Sequence, residues 1–140
     1  MTKNKDSKLN ISVPVSPGEL IDKLTILEIK SRRIKNNQKL KTIRYELNLL
    51  KAILNRLLSE NKSISAKVNT SRKKLLEINK KLWDIENQIR EKESSGTFDN
   101  KFISLARAVY ITNDKRSEIK NKINTLFGAA IKEIKEYSGY

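Results

Sequence analysis

The chain has no cysteine and no histidine. Those two absences exclude disulfides, thiol nucleophiles, Cys/His zinc sites and imidazole acid–base chemistry. Any catalysis would fall to carboxylates, lysine, tyrosine or an oxygen-bound ion such as magnesium. Two prolines and four glycines leave few helix breakers, and an aromatic share of 6% is too small for a nucleic-acid stacking platform. No run approaches the roughly 18 apolar residues of a membrane span. The opening residues carry no apolar core of signal-peptide length, so a cytoplasmic location is expected. Acidic residues are scarce too: 16 stand against 30 Lys and Arg, a net charge of +14. That excess is spread along the whole sequence and is richer in lysine than arginine, which suits solvated helix faces better than one binding arm.

What is present is a helical pattern. Residues 1–12 lack periodicity and are expected to form a disordered basic tail, with one helical-bundle domain over 13–140. Ile11, Val13, Pro14 and Val15 alternate with polar residues as an extended N-terminal arm lying on that bundle. Ser16, Pro17 and Glu19 are an N-cap, a first-turn proline and a capping-box partner, starting a helix that runs to about Lys35. Its apolar positions, Leu20, Ile21, Leu24, Ile26, Leu27 and Ile29, cover enough circumference for two neighbours. A heptad seam runs through Leu40, Ile43, Leu47, Leu50, Leu54 and Leu57, predicting a second helix over about 38–58. The third, about 64–94, carries Ile64, Val68, Leu75, Ile78, Leu82, Ile85 and Ile89. The phase is continuous across 59–63, which allows one long coiled-coil helix. The polar Ser59–Ser63 break favours a hairpin instead. Ser94–Thr97 is a clear turn, and a fourth helix over about 98–127 returns antiparallel to the third. Gly128 ends it, and a short terminal helix is expected over 129–137. The fold class is therefore all-α: an antiparallel bundle of about four helices with a long third–fourth hairpin.

The informative positions are polar residues on faces that should be buried. The fourth-helix stripe Phe102, Ala106, Val109 continues into Asn113, Arg116 and Lys120 before Ile123 restores it. Burying an unpartnered amide or guanidinium costs several kcal/mol, so either the stripe emerges from the core here or these residues face a polar cleft. Arg107, Tyr110 and Asp114 lie beside it. On the third helix Asn79, Trp83, Glu86, Arg90 and Glu93 share one edge. It is either a Trp anchor beside an ordinary surface Glu86–Arg90 ion pair, or a face turned toward Asn113 and Arg116 to line a shared polar cleft. Asp22, Lys23 and Glu28 follow the first cap.

Two other chemistries have partial support. Glu19-x-x-Asp22 is similar to the acidic spacing with which all-helical nucleotide pyrophosphohydrolases hold magnesium. The matching pair is missing, because Asp84/Glu86 and Glu91/Glu93 are two apart and point away from each other. The basic run Lys67, Arg72, Lys73, Lys74, Lys80, Lys81 suits non-specific nucleic-acid binding, without any recognised nucleic-acid motif beside it. No phosphate-binding glycine loop occurs.

Three segments, PGELIDKLTILEIK at 17–30, LWDIENQIR at 82–90, and FD at 98–99 with FISLARAVY at 102–110 and ND at 113–114, resemble a bacterial and phage family of uncharacterised helical domains. The resemblance spans about residues 13–140 and implies a surface-polysaccharide or glycosyltransferase context, with no activity to transfer. It concentrates on Asp22, Lys23, Glu28, Trp83, Glu86, Arg90, Arg107, Tyr110, Asn113, Asp114 and Arg116, which form the candidate ligand-binding set. The expected role is a non-catalytic binding or scaffold module for an anionic small molecule or protein partner, with no metal or cofactor. A homodimer is compatible with the seam.

Overall fold

Residues 9–140 are described by a computed structural model; the expected tail over 1–12 falls, for residues 1–8, outside the described residues. Among the described residues four α-helices follow one another: α1 (Pro17–Arg33), α2 (Asn37–Glu60), α3 (Ser65–Ser94) and α4 (Asn100–Phe127), with a single 3₁₀ turn at Lys62–Ile64. No strand occurs among the described residues.

Local chemistry accounts for the boundaries. The Ser16 hydroxyl accepts from the Glu19 N–H at 3.1 Å, and Pro17 occupies the first turn where its missing N–H is harmless. Lys30, Arg32 and Arg33 complement the C-terminal end of the α1 dipole. The helix stops at Arg33, two residues earlier than the sequence suggested, because Ile34 turns extended while its N–H still reaches the Lys30 carbonyl. Asn36 then caps α2 through the Lys39 N–H at 3.0 Å.

The seam through Leu40 and Ile89 belongs to two helices. Asn61 leaves helical geometry (φ −131°, ψ 53°), and its amide donates to the Leu57 carbonyl at 2.8 Å, closing the end of α2. Between α3 and α4, Gly96 adopts φ 63°; its N–H reaches the Glu93 carbonyl, and that of Thr97 reaches Lys92 at 2.9 Å. This is the Schellman stop, in which glycine takes the left-handed position without a Cβ clash. Asp99 caps α4 through the Phe102 N–H at 3.0 Å and pairs with Lys92 at 2.9 Å, fastening the antiparallel hairpin. The Lys92 hydrogen bond and the cap together hold the Asp99 carboxyl below the usual aspartate range.

α1 is the hub. It packs on α2, α3 and α4, three neighbours where its pattern suggested two, while α3 packs along α4. Leu20, Ile21, Leu24 and Leu27 of α1 form one core with Ile43, Leu47 and Leu54 of α2, Val68 and Leu75 of α3, and Ile123 of α4. Fully burying each such side chain contributes about 1.5–3 kcal/mol. On α4 the buried line differs from the expected one in its first half. Leu105 and Thr112 are buried, whereas Ala106 is exposed and Phe102 and Val109 are only half-buried.

Two segments correct the sequence reading. The N-terminal arm is extended, but Ile11 stays 80% exposed and Val13 63%, so it does not bury its apolar side on the bundle. Residues 129–137 form no helix. They run without regular structure beside α4, where the backbone of Glu133 bonds to the Asn121 side chain instead of to its own neighbours.

Candidate functional site

The polar stretch of α4 meets the N-terminal half of α1, and Asp22 sits where they cross. Its side chain is almost wholly enclosed, at 1% exposure, a position that demands a cation and full hydrogen bonding. Both are supplied. Arg116 forks onto the carboxylate, Nε at 2.9 Å from Oδ1 and Nη2 on Oδ2, and the Asn79 amide of α3 donates to Oδ1 at 2.9 Å. The same amide reaches Thr25 Oγ1 at 2.8 Å, and that hydroxyl donates to the Asp22 carbonyl at 2.7 Å. One carboxylate thus fixes three helices in register. The bond to Asp22 holds the Arg116 guanidinium still more firmly protonated than usual, in spite of its partial burial.

One turn further along α4, Lys120 is 5% exposed. Its ammonium contacts Glu19 at 2.6 Å and the carboxylate of Glu133, and lies 4.0 Å from Asp22. Burial opposes its charge, but the bonds to Glu133 and Glu19 outweigh that and raise its pKa. Burial likewise pushes the Glu133 carboxyl up, and the bonds from Lys120 and Ser117 reverse the sign, leaving it below the ordinary glutamate range.

This close approach of α1 and α4 depends on Gly18. A Cβ there would lie 2.4 Å from the Lys120 carbonyl oxygen, and the Gly18 N–H donates to Asn124 Oδ1 at 2.7 Å. Every buried side-chain polar atom among the described residues has a partner.

The C-terminal segment closes the site from outside. Asn121 binds the backbone of Glu133 at both ends: Oδ1 accepts its N–H at 3.0 Å and Nδ2 donates to its carbonyl at 2.9 Å. Ser117 donates to the Glu133 carboxylate at 2.9 Å. Farther along, Lys135 reaches the Asn113 carbonyl at 3.3 Å and Asp114 at 3.6 Å. The Tyr140 hydroxyl donates to Asp114 at 2.5 Å while its ring packs edge-on to Tyr110 at 5.3 Å; that hydrogen bond raises the Tyr140 pKa.

Of the residues singled out from sequence, Asp22 and Arg116 form the centre, and Asn113 touches it only through a 3.5 Å contact with Arg116. Tyr110 and Asp114 line the path of the C-terminal segment. The others lie elsewhere. Lys23 pairs with Glu46 of α2 at 2.7 Å, and Glu28 holds Arg72 of α3. Trp83 stacks under Arg33 at 5.8 Å, Glu86 and Arg90 form an exposed pair at 3.7 Å, and Arg107 is exposed. The third-helix edge thus contributes Asn79 alone. Glu133, Ser117, Asn121 and Asn124 were missed. Glu133 lies in a segment read as helical, and the polar spacing 113, 117, 120, 121, 124 along α4 was the available signal.

Glu19 and Asp22, the start of the magnesium reading, direct their carboxylates at Lys120 and Arg116. No group of three or more acidic side chains among the described residues is arranged to hold a metal ion. No helix among them is long and apolar enough to cross a membrane.

A family model described as a family of unknown function (DUF6165) matches residues 11–140. The chain belongs to that family. No curated protein and no solved structure matches it. For DUF6165, then, the chemistry has to be argued from the side chains themselves.

Proposed function

We propose that the chain is a non-catalytic binding module whose α4 face holds a peptide segment through one glutamate, and that its own C-terminal segment, charge-neutral overall, is the resident occupant. One observation carries this reading: Glu133 is bound at its carboxylate by Lys120 and Ser117 and at both backbone groups by Asn121. Recognition of one residue by side chain and main chain together is how a groove selects a peptide in extended form. The rigid half of the site, Asp22 with Arg116 and Asn79, fixes the cations beforehand, so binding would require little further ordering. A glutamate-bearing segment of a protein partner would enter by displacing the resident one. A partner from surface-glycan assembly would suit the setting that the sequence resemblance implies.

The test uses a fluorescent peptide of residues 129–140 and full-length protein. Glu133→Lys, which repels the resident segment from Lys120, should raise peptide affinity about tenfold, a change of ~1.4 kcal/mol. Adding Asn121→Ala to that variant should abolish the gain. Equal affinity for the wild type and Glu133→Lys would reject the proposal.

A further inference from the structure

A groove of about 530 Å³ opens between α1, α2 and α3 and shares no lining residue with the Glu133 contacts. Its volume is in the range of small-molecule sites, about 300–1,000 Å³. Four cations converge on it from three helices: Arg32 of α1, Lys51 of α2, and Arg72 and Lys73 of α3. Glu28 is the one acid in its wall, and it is bound to Arg72, with only 13% of the Glu28 side chain exposed. Among the described residues, Arg32, Lys51 and Lys73 form no ion pair. Elsewhere on α3, Lys80 pairs with Glu77, while Lys67, Lys74 and Lys81 are exposed, form no ion pair among the described residues and do not line this groove; Lys80 and Lys81 border a separate groove that also holds Asp84.

We propose that this groove binds a diphosphate-bearing small molecule of nucleotide size. Three uncompensated positive charges around one concavity focus a field that a single carboxylate would not neutralise, whereas a diphosphate would. Arg32 and Arg72 offer the planar donor forks that suit phosphate oxygens, and Glu28 is a positioning residue that steers Arg72. Leu47 and Leu76 give the wall an apolar stretch for the part of the ligand that carries no phosphate. A nucleic-acid backbone fits less well, because Arg72 and Lys73 line this groove, Lys80 and Lys81 another, and Lys67 and Lys74 neither, so the α3 run lines no one continuous groove.

Isothermal titration of the full chain with pyrophosphate and with a nucleoside diphosphate tests this. Both should bind, the nucleoside diphosphate more tightly, and Arg32→Ala/Lys73→Ala should weaken both by about tenfold or more. Those two cations are on the surface and unpaired, so the variant should keep its helical circular dichroism; Lys51→Glu gives an independent check in the same direction. Unlabelled peptide of residues 129–140 should leave the pyrophosphate affinity unchanged, which keeps this site separate from the proposed peptide face. No heat or shift up to millimolar pyrophosphate, or equal affinity in the double variant, overturns the proposal. So does an oligonucleotide that binds the chain and is not displaced by pyrophosphate, which would assign the cations to a polymer backbone instead.

Discussion

Removing the Asp22 carboxylate should destabilise the bundle far more than removing any exposed acid. The side chain is 1% exposed and accepts three side-chain hydrogen bonds, two of them from Arg116. Asp22→Ala would leave Arg116 and the Asn79 amide short of partners in an interior site. Breaking a buried pair by deleting one partner costs about 3–5 kcal/mol. Asp22→Asn keeps the shape and one acceptor oxygen, and the Arg116 side chain is 28% exposed, so water can take over part of its solvation. The expected loss there is about 2 kcal/mol, between a neutral bond and a fully buried ion pair. Against a total stability of about 5–15 kcal/mol, either change is large. Urea unfolding followed by circular dichroism at 222 nm would measure it, with the m-value unchanged if the native fold persists. Replacing both partners, Asp22→Leu with Arg116→Met, should recover much of the Asp22→Ala loss, since an apolar pair leaves no orphaned charge. A loss below about 0.5 kcal/mol for Asp22→Asn, the value of an exposed pair, would refute the reasoning.

Gly18→Ala puts a methyl group 2.4 Å from a backbone oxygen that cannot rotate away, so a loss of stability of about 1–3 kcal/mol is expected in a thermal melt. In a double-mutant cycle Arg116→Ala should couple strongly to Asp22→Ala and be additive with Glu86→Ala to within about 0.5 kcal/mol, because Glu86 pairs with Arg90 instead. The Glu133–Lys120 contact sets a pH window. The Glu133 pKa is lowered by docking, so its contribution is present above the free glutamate value of about 4.3 and disappears as pH falls through the lower docked value. The Lys120 pKa is raised, so its contribution is complete below the free lysine value of about 10.4 and disappears as pH rises through the higher docked value. Fluorescence quenching of a label at Ser138 should report docking across mid-range pH and release at both extremes.

The parts of this fold governed by local rules were legible in the sequence. Ser16–Pro17, the heptad leucines of α2, the Gly96 turn and the Gly128 stop each act within a few residues of themselves. The polar break in the α4 stripe was visible too, and it marked Arg116 and Lys120 as needing partners. Which partners they find depends on how α4 is rotated against α1 and α3, and that rotation buries Leu105 while leaving Ala106 exposed. The same rotation turns Glu86 and Arg90 to solvent and leaves Asn79 as the single contribution from its edge. The C-terminal segment was misread because its alternating charges suit a helix equally well. Long-range bonds from Asn121, more than ten residues earlier in the chain, decide its course.

Amide hydrogen exchange at Glu133 tests the central claim most directly. That N–H is held by Asn121 at 3.0 Å while the surrounding segment has no helical hydrogen bonding. In the wild type the Glu133 amide should therefore exchange markedly more slowly than its neighbours Lys132 and Ile134. Asn121→Ala should bring it to their rate while protection within α1 and α3 persists. A Glu133 amide that exchanges as fast as its neighbours in the wild type, or stays protected in Asn121→Ala, would contradict the docked segment on which the account rests.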